Sequence, residues 1–376
     1  MFVIRRPKLQ DTTTLLKLAK MVYFINLPPD KDIIGAKISH ARKCFEAVAR
    51  GDAHVSTHDR KRGHTGGYAI DASELFMFCM EDLDSGAVIG TSQIIAQMGG
   101  PGNPSVSLKL SRKEFFSKSL QTGTMHTVAR LHLDESGPSE IGGLIMQPSF
   151  RRHKLKLGRF MGLVRFHFVG LHRARFRDRV LAEMMAPITA DGQNLLWDFL
   201  GRRFINLSYS EADRFCQTSR EFMTSLLPDT DIYLSLLPPE ARALVSEVGP
   251  ETVPARKMLE KLGFAYRDLV DPFDGGPYLD AVTNDISIVK ATSRRVLGND
   301  LPKSKCKQRG MVSVLHPDGE FFAVETECAA AGAGKPVSLP RAVRLALKAE
   351  PGCEIGFTPE EIPTVKKSSG RSRTRS

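Results

Sequence analysis

The sequence has no hydrophobic run long enough to cross a membrane. A transmembrane helix needs about 20 consecutive apolar residues, and the longest apolar stretch, Phe160 to Leu171, is interrupted by Arg165 and His167. The first ten residues, MFVIRRPKLQ, place their few apolar side chains before the charges, which is not the pattern of a secretory signal peptide. We therefore expect a cytoplasmic protein with no membrane partner.

Cysteine is scarce and is not arranged for a covalent or metal framework. The six cysteines stand at positions 44, 79, 216, 306, 328 and 353, without a C-x-x-C pair and without a histidine at ligand spacing. This spacing supports neither a disulfide scaffold nor a zinc site, so we expect reduced thiols and no bound metal. A P-loop and a G-x-G-x-x-G fingerprint are also absent, which argues against nucleoside triphosphates and dinucleotides as ligands.

Negative charge is missing from two stretches of an otherwise balanced chain. The 376 residues contain 53 lysines and arginines against 42 aspartates and glutamates, which gives a net charge of +11. Residues 151–180 hold ten basic residues and one acid, and residues 366–376 hold five basic residues and no acid. The terminal stretch has the composition of a solvated, mobile tail, and a nucleic-acid partner is not expected. The stretch at 151–180 lies within a regular pattern of predicted elements and is more informative.

Apolar runs alternate between strand-like and helix-like spacing, which is typical of an α/β protein. Strands are predicted where short apolar runs end at turn residues, and helices where the apolar spacing is three to four residues. The predicted strands are Leu75–Met80, Val88–Gln97, Ile141–Met146, Arg179–Met185 and Arg203–Tyr209, and the predicted helices are Ile33–Val48, Leu157–Leu171 and Gln193–Leu200. The polar, glycine-rich segment His54–Gly67 is predicted to be an exposed loop.

A short pattern occurs twice and suggests two related α/β modules in tandem, with chance similarity as the alternative. Trp197–Gly201 and Met258–Gly263 each have the pattern of a helix closed by glycine before a strand. Further along, the alternation in Met311–Glu325 predicts a small β-rich C-terminal appendage. The predicted organisation is a first module at 1–210, a second half-module at 211–295, a C-terminal region at 296–363 and a disordered basic tail at 364–376.

The most informative stretch is IGGLIMQPSFRRHKLKLGRFMGLVRFHF, residues 141–168. A buried strand leads into a loop of dense positive charge, and a helix begins near Leu157. Backbone N–H groups at a helix N-terminus are unsatisfied, and the helix dipole adds partial positive charge there, which favours an anion. Four basic residues reinforce this effect, Arg151, Arg152, Lys154 and Lys156. The pattern indicates either a phosphate-binding site, with pyrophosphate as the natural ligand, or a merely solvated basic helix start.

Several segments of the chain resemble the arginine N-succinyltransferase family of GNAT-type acyltransferases. The similarity extends from Val3 to about Phe357 and is most specific in FCMEDLDSGAVIG (78–90), DRVLAEM (178–184), WDFLGRRF (197–204), EAD (211–213), PARKMLEKLGF (254–264) and DPFDGGP (271–277). The resemblance implies a GNAT-like mixed β-sheet flanked by helices, and transfer of a succinyl group from succinyl-CoA to the α-amino group of L-arginine in arginine catabolism. We expect succinyl-CoA as a co-substrate, no tightly bound cofactor, and a homo- or hetero-oligomer.

The resemblance places the acyl-CoA donor on the strand and loop of residues 141–158. The strand's main chain would hold the pantetheine arm, and one of its N–H groups at 144–146 would hold the thioester oxyanion. The loop would hold the pyrophosphate, although the family's R-x-x-G-x-G is replaced here by RRHKLKLG, which keeps the positive charge and only one glycine. The residues assigned to the donor are Leu144, Met146, Arg151, Arg152, Lys156 and Gly158.

The catalytic residues implied by the resemblance are altered in this sequence. The family's N-D-H-T-G-S-x-E-L motif is LDESGPSEI here, which puts Glu135 at its histidine, and the proton-donor histidine of P-K-H-P-I-Y falls on Thr230 of PDTDIY. Threonine cannot shuttle a proton near neutral pH as histidine does. Either Asp229, Asp231, Glu135 or a water molecule takes over this role, or the protein is a weakened or inactive relative.

The reaction also needs groups that bind arginine and the succinyl chain. A guanidinium needs an acidic and preferably bidentate partner, and the candidates are Glu140, Glu183 and Asp274. Asp274 could instead shape a turn, and Glu183 could pair with a structural arginine. A succinyl carboxylate needs a cation, for which the candidates are Lys109, at the basic residue of the family's Y-N-Y-R segment, and Arg5. The alternatives to arginine succinylation are transfer to another acceptor such as ornithine, or a regulatory pseudoenzyme.

Overall fold

Strands from both ends of the chain join in one mixed β-sheet. The computed structural model describes residues 1–21, 27–53, 73–189, 192–216 and 219–360. Within these residues the strands are β1 (Phe2–Arg5), β2 (Leu75–Asp82), β3 (Ala87–Ile95), β4 (Ser105–Ser117), β5 (Thr122–Asp134), β6 (Ser139–Met146), β7 (Arg179–Glu183), β8 (Ile232–Tyr233), β9 (Ala265–Val270), β10 (Pro277–Val282), β11 (Ser293–Val296), β12 (Gln308–Leu315), β13 (Phe321–Ala330), β14 (Val337–Ser338) and β15 (Glu354–Pro359). Their order in the sheet is β11-β15-β12-β13-β1-β2-β3-β6-β7-β10-β9-β4-β5-β8, and β14 pairs with β13.

Helices flank this sheet. They are α1 (Thr12–Ala19), α2 (Lys31–Arg50), α3 (Leu157–Leu171), α4 (Arg202–Phe204), α5 (Tyr209–Phe215), α6 (Glu221–Leu226), α7 (Pro239–Arg242), α8 (Val253–Leu262), α9 (Ser287–Ala291) and α10 (Arg341–Ala346). Short 3₁₀ turns lie at Leu9–Asp11, Pro148–Phe150, Arg173–Arg175, Leu234–Leu236, Thr283–Asp285 and Lys303–Lys305. Of the helices in the described parts of the chain, none combines the length and apolarity that crossing a bilayer requires.

Local sequence signals set the ends of the longest helix, α2. The side chain of Asp30 accepts hydrogen bonds from the backbone N–H groups of Asp32 and Ile33, at 2.9 and 3.0 Å, which caps the N-terminus. Gly51 ends the helix with a φ of 74°, a left-handed conformation that glycine adopts without steric cost. The apolar face between these caps packs on β2.

One strand–helix–strand unit in the centre of the sheet runs parallel. β6 leads through α3 into β7, and β6 and β7 pair in parallel, whereas the other ladders between described strands are antiparallel. The strand, helix and strand predicted at 141–146, 157–171 and 179–185 are confirmed within a few residues. The mixed α/β sheet flanked by helices is confirmed as well.

Helix α3 is buried on nearly every side because it lies between the central strands and the C-terminal ones. It contacts β2, β3 and β6 as well as α9, β11 and β15. The buried polar side chains of α3 have hydrogen-bond partners within the protein. Arg165 donates from Nε to the carbonyl of Gly162 at 3.0 Å, and the ring nitrogens of His167 hydrogen-bond to Thr358 and Ser313 at 2.6 and 2.7 Å. Burial lowers the pKa of His167 to about 3, so the ring is neutral and has a packing role.

The strand predicted at Arg203–Tyr209 does not form. Trp197–Gly201 is a π-helical turn that continues into α4, and α5 already begins at Tyr209. Two local contacts are responsible. Ser208 and Glu211 form a capping box that starts α5. The backbone of Gly201 packs on the ring of Trp197, so closely that a Cβ at position 201 would lie 2.3 Å from Cε3 of that ring. Only the second of the two similar segments, which ends at Gly263, leads into a strand, β9.

The C-terminal strands continue the central sheet. β13 pairs with β1, with Ala323 opposite Ile4, and Phe321 packs in the central apolar cluster. The same region encloses an apolar cluster of its own, which includes Val312 and Phe357. The division into segments at 1–210, 211–295 and 296–363 therefore stays a prediction. The predicted loop His54–Gly67 and the predicted tail at 364–376 lie outside the described residues.

Candidate active site

The two parallel strands separate from each other in the middle of the sheet. β6 pairs with β7 at Ser139, Glu140 and Ile141, and among the described residues their ladder ends there. On its other edge β6 goes on pairing with β3 as far as Met146. Beyond Ile141 the edge of β6 that faced β7 is therefore open. Its N–H and C=O groups can bind an extended, amide-containing chain as an added strand would.

A β-bulge lies at the start of this open edge. The register between β3 and β6 shifts between Thr91 and Gln93, and on β6 the backbone of Gly143 has a φ of 57°. A side chain here would be strained by that φ and would lie 3.3 Å from Gln93 Cγ. Bulges change the direction of the main-chain groups beside them and are common next to active sites. The main-chain groups concerned here are those of residues 144–146.

A basic loop connects the open edge to the N-terminus of α3. Arg151 donates from Nε to the carbonyl of Met146 at 3.2 Å, and its Nη1 lies 2.5 Å from a carboxylate oxygen of Glu251. Arg152 and Lys156 have φ angles of 60° and 51°, in the left-handed region that residues other than glycine rarely adopt. The basic side chains of this loop lie beside the free N–H groups at the N-terminus of α3, a helix of 15 residues. This arrangement favours the binding of an anion.

Carboxylates lie on one face of the sheet beside this opening. Glu140 of β6 is opposite Leu181 of β7, and Glu183, two residues further along β7, is opposite Tyr278 of β10. Because directly opposed residues and alternate residues of a strand share a face, Glu140, Glu183 and Tyr278 lie on the same side of the sheet. Asp271 joins them, since the hydroxyl of Tyr278 donates to its Oδ2 at 3.0 Å.

Two of these carboxyl groups, Glu183 and Asp271, have raised pKa values. Burial raises the pKa of Glu183 well above its ordinary value, and the charges of Glu140 and Asp271 act in the same direction. Burial also raises the pKa of Asp271, although the N–H groups of Phe273 and Asp274 donate to it. Carboxyl groups of this kind ionise more readily when a cation enters. Clustered groups with shifted pKa values beside a cleft mark a candidate functional site.

Two cationic side chains act on the cluster. Lys37 of α2 is 4% exposed, and burial lowers its pKa to about 8, against the opposing effect of Glu140. The charge of Arg220 lowers the pKa values of Glu183 and Asp271. A further acid, Asp213, has its pKa raised to about 7 by burial and by the charge of Asp271. The four acids outnumber the two cations, so the cluster is negatively charged when its acids with raised pKa values ionise, and a cationic ligand favours that ionisation.

Asp274 belongs to the turn next to this cluster. Its Oδ2 accepts the N–H of Ala186 at 2.9 Å, and its Oδ1 accepts the N–H of Gly276 at 2.7 Å. Burial raises its pKa to about 8, and the charge of Asp271 adds to the shift. Because both carboxylate oxygens are bound by the backbone, Asp274 holds the turn against the end of β7.

Comparison with known proteins identifies the family. The family model described as "Arginine N-succinyltransferase beta subunit" matches residues 2–288. The arginine N-succinyltransferase of Citrobacter koseri is 33% identical over 294 residues, which are 77% of this chain and 78% of that protein. The one from Yersinia pestis is 31% identical over 253 residues, 67% of this chain and 71% of that protein. The chain belongs to the arginine N-succinyltransferase family.

A solved structure of this family shares the fold. It is described as "The structure of arginine/ornithine succinyltransferase subunit AI from Pseudomonas aeruginosa" and superposes with a TM-score of 0.75 at 24% identity. The superposition covers 96% of this chain and 98% of that one. The family model and the relatives confirm the resemblance to the arginine N-succinyltransferase family, and the superposition confirms the predicted fold.

The structure brings the predicted donor residues of this family together. Leu144 and Met146 lie on the open edge of β6, and the loop with Arg151, Arg152 and Lys156 follows directly. A Cβ at Gly158, the one glycine that the loop shares with the family, would lie 3.6 Å from Met146 Cγ, an ordinary contact. The fold of the chain itself therefore does not require glycine at position 158.

The predicted catalytic residues Thr230 and Asp231 lie at another place in the sheet. Both residues immediately precede β8. In the sheet, four strands separate β8 from β7, namely β10, β9, β4 and β5. Thr230 is exposed. Asp231 is ion-paired with Lys113 and, at 2.9 Å, with Arg130. The hydrogen bond from Lys113 and the charge of Arg130 lower the pKa of Asp231, which makes it a weak base.

The remaining predicted residues are also engaged in local contacts. Glu135 is exposed, precedes β6 at the end away from the opening, and accepts the N–H of Gly102 at 3.1 Å. Lys109 on β4 donates from Nζ to the carbonyl of Arg267 at 2.5 Å. Arg5 on β1 is buried and paired with Asp11 at 2.7 Å and with Glu81, so its guanidinium is bound within the fold.

Sequence reasoning did not single out Lys37, Arg220 or Asp213 as site residues. Lys37 carried a usable signal, because it lies on the apolar face of α2, between Ile34 and Ile38. A lysine at such a position is buried only with acidic partners. Asp213 lies in the EAD segment that carries the family resemblance, which gave it no role, and Arg220 had no signal at all. Only the folded chain brings these two residues near Asp271 and Glu183.

Proposed function

We propose that this protein transfers the succinyl group of succinyl-CoA to the α-amino group of L-arginine. The observation that carries the proposal is the open edge of β6 beyond Ile141, which lies beside the buried carboxylate Glu140 and the half-buried Glu183. An open strand edge suits the amide-rich pantetheine arm, and a buried acidic cluster suits a guanidinium. In the reaction the amine nitrogen bonds to the succinyl carbonyl carbon, the thioester C–S bond breaks, and the CoA thiolate leaves and takes up a proton.

On the donor side, the pantetheine arm lies along Leu144 and Met146. A main-chain N–H of residues 144–146, next to the bulge at Gly143, holds the oxyanion that forms when the amine attacks. The pyrophosphate lies at the N-terminus of α3, and its binding residues are Arg151, Arg152, Lys156 and Gly158. The helix dipole and the positive charge of the loop support this assignment.

On the acceptor side, Glu140 and Glu183 bind the guanidinium of arginine. Asp274 contributes to this subsite by holding the turn at 271–277 against the end of β7, since its oxygens already accept the N–H groups of Ala186 and Gly276. We propose Lys109 as the cation that binds the succinyl carboxylate. Its side chain is half-exposed, and it would have to give up only the hydrogen bond from its Nζ to the carbonyl of Arg267.

The α-ammonium group of arginine must lose a proton before it attacks the thioester. Thr230 has no basic group, Asp231 is held by Lys113 and Arg130, and Glu135 lies at the far end of β6. We therefore propose that a water molecule in the opening between β6 and β7 accepts this proton.

We also propose the setting in which the protein works. No tightly bound cofactor is needed, because succinyl-CoA is a co-substrate. The protein acts in the cytoplasm, in line with the free thiols of its six described cysteines, and as a homo- or hetero-oligomer.

Calorimetric titration with succinyl-CoA tests the donor site, with acetyl-CoA and free CoA as comparisons. We expect saturable binding that prefers succinyl-CoA. Release of free CoA thiol in the presence of arginine, ornithine or lysine then tests the acceptor. Binding of none of the CoA compounds, or CoA binding without thiol release for any of the three acceptors, would overturn the proposed activity.

Glu183→Gln tests the acceptor subsite. Because a hydrogen bond to a charged group contributes about 1.5–3 kcal/mol, the KM for arginine should rise roughly 10- to 100-fold while succinyl-CoA affinity stays unchanged. The raised pKa of Glu183 means that protons compete with arginine, so the wild-type KM should fall as pH rises through that pKa, and this dependence should weaken in the variant. Glu240→Gln, at an exposed acid on α7, is the matched control. Equal arginine KM values in both variants would remove Glu183 from the subsite.

A further inference from the structure

The hairpin of β4 and β5 continues beyond the strands that border it. β9 pairs with β4 at Leu108 and Lys109, and β8 pairs with β5 at Val128 and Ala129. Among the described residues, no further strand borders the distal part of this hairpin, residues 110–127, which we call the arm. The outer edge of β4 in the arm is therefore a row of unpaired backbone groups, which favours pairing with another strand.

The arm also exposes large apolar side chains. The exposed fractions are 49% for Phe115, 65% for Phe116, 74% for Leu120 and 56% for Met125. At about 150–250 Å² for a large side chain, these four expose roughly 400–500 Å² on one copy of the chain. Phe116 and Met125 lie on the face of the hairpin that also carries Glu114, whereas Phe115 lies on the other face and Leu120 in the turn. Exposed apolar side chains at the end of an unpaired strand favour a contact with another chain.

The order of charges along the arm fits a second copy of the same strand. In a two-fold antiparallel pair centred on Lys113, Arg112 of one copy is opposite Glu114 of the other, and the same pair forms again across the axis. In this register Phe116 is opposite Leu110 of the second copy, on the same face as the charged pairs. The paired segment is residues 110–116, which is the part of β4 that β9 leaves uncovered.

Like charges meet only at the centre of this arrangement. Lys113 is opposite Lys113 of the second copy, but within each copy Lys113 is ion-paired with Asp231. Asp231 is held in turn by Arg130 at 2.9 Å, so the acid stays ionised beside Lys113. The repulsion of two lysines, which would oppose the pairing, is thereby reduced.

We propose that the arm is a dimerisation surface and that its partner is a second copy of this chain. The two β4 strands pair edge to edge around a two-fold axis, with Arg112 of each copy opposite Glu114 of the other. This joins two sheets into one and places Phe116 of each copy beside Leu110 of the other. The proposal does not depend on the proposed succinyl transfer, because it uses no residue of that site.

Charge reversal and its repair test the register. We expect the full chain to sediment as a dimer at micromolar concentrations. Arg112→Glu and Glu114→Arg should each weaken the dimer roughly 10- to 30-fold, because either change replaces two attractive pairs by two repulsive ones. The double variant R112E/E114R restores opposite charges and should return the dimerisation constant to within about threefold of the wild-type value. Arg341→Glu and Glu240→Arg, at exposed charges outside the arm, should leave it unchanged.

Three results would overturn the proposal. One is a wild-type chain that sediments as a monomer, and another is a single variant that dimerises as tightly as the controls. The third is a double variant no tighter than the singles, which would show that Arg112 and Glu114 do not face each other. Far-UV circular dichroism confirms that each variant is folded. None of these measurements uses a substrate, so failure of the proposed activity would not affect their outcome.

Discussion

Gly276 has no room for a side chain. A Cβ at this position would lie 1.9 Å from the carbonyl oxygen of Met184 and 2.9 Å from the backbone nitrogen of Ala186. The N–H of Gly276 donates to Asp274, whose other oxygen accepts the N–H of Ala186. The backbone of the turn at 271–277 thus lies directly against the end of β7. This contact places Asp271 beside Glu183 and so builds the acidic cluster.

Gly276→Ala should therefore destabilise the protein strongly. The clash is with backbone atoms that cannot rotate away, so we expect a loss of more than about 3 kcal/mol in the free energy of unfolding. Gly352→Ala is the control, because Gly352 has a φ of 91° and open space around its Cβ position, and strain alone costs about 1–2 kcal/mol. Urea unfolding measures both variants. Equal losses would show that the position of a Cβ at Gly276 is not blocked by the backbone of Met184 and Ala186.

At the scale of the element, α3 begins with a strained residue. Lys156 precedes the helix in a left-handed conformation with a φ of 51° and a ψ of 45°. Strain of this kind costs about 1–3 kcal/mol and persists where the surrounding structure or a function requires it. Here it positions a cation beside the free N–H groups of the helix, where the proposed pyrophosphate lies.

Two substitutions at Lys156 separate strain from charge. Lys156→Gly and Lys156→Ala both remove the cation, so succinyl-CoA affinity should fall by a similar factor, roughly two- to tenfold. Only glycine relieves the strain, and Lys156→Gly should be more stable than Lys156→Ala by about 1 kcal/mol. Calorimetry measures the affinity and urea unfolding the stability. Unchanged affinity in both variants would remove Lys156 from the donor site.

At the scale of the whole molecule, the C-terminal strands are part of the central core. Phe321 on β13 is 1% exposed, and its ring lies 5.4 Å from Phe78, 5.6 Å from Phe168 and 5.8 Å from Phe45. These partners come from β2, α3 and α2. Residues far apart in the sequence therefore stabilise one another, which favours a single cooperative unfolding transition.

Phe321→Ala should lower the stability of the whole chain. Removing a fully buried phenylalanine costs about 3–5 kcal/mol, and the single transition should shift as a unit. Leu345→Ala, at a residue that is 55% exposed, should change the unfolding free energy by less than about 0.5 kcal/mol. Differential scanning calorimetry shows the number of transitions. A separate small transition that alone responds to Phe321→Ala would mean that the region at 296–363 is an independent domain.

The sequence by itself determined the elements whose signals are local. The strand at 139–146, the helix at 157–171 and the basic loop between them follow from apolar spacing and from the positions of Gly158 and the charged residues, which act over a few bonds. The motif DPFDGGP pointed to the family, and its first aspartate, Asp271, does lie near Glu183. Local signals also misled, since the apolar run at 203–209 has strand-like spacing but lies between a π-helical turn and a capped helix.

Only the tertiary structure decided which distant residues meet. Nothing local to Lys37, Asp213 or Arg220 states that they lie near Glu140, Asp271 and Glu183 respectively, because those contacts depend on how separate parts of the chain pack on one sheet. The same is true of Thr230 and Asp231, which motif matching assigned to catalysis and which the strand order places several strands from β7. Short-range chemistry sets which element a segment forms. Long-range pairing, whose free energy depends on the whole chain, sets which side chains share a site.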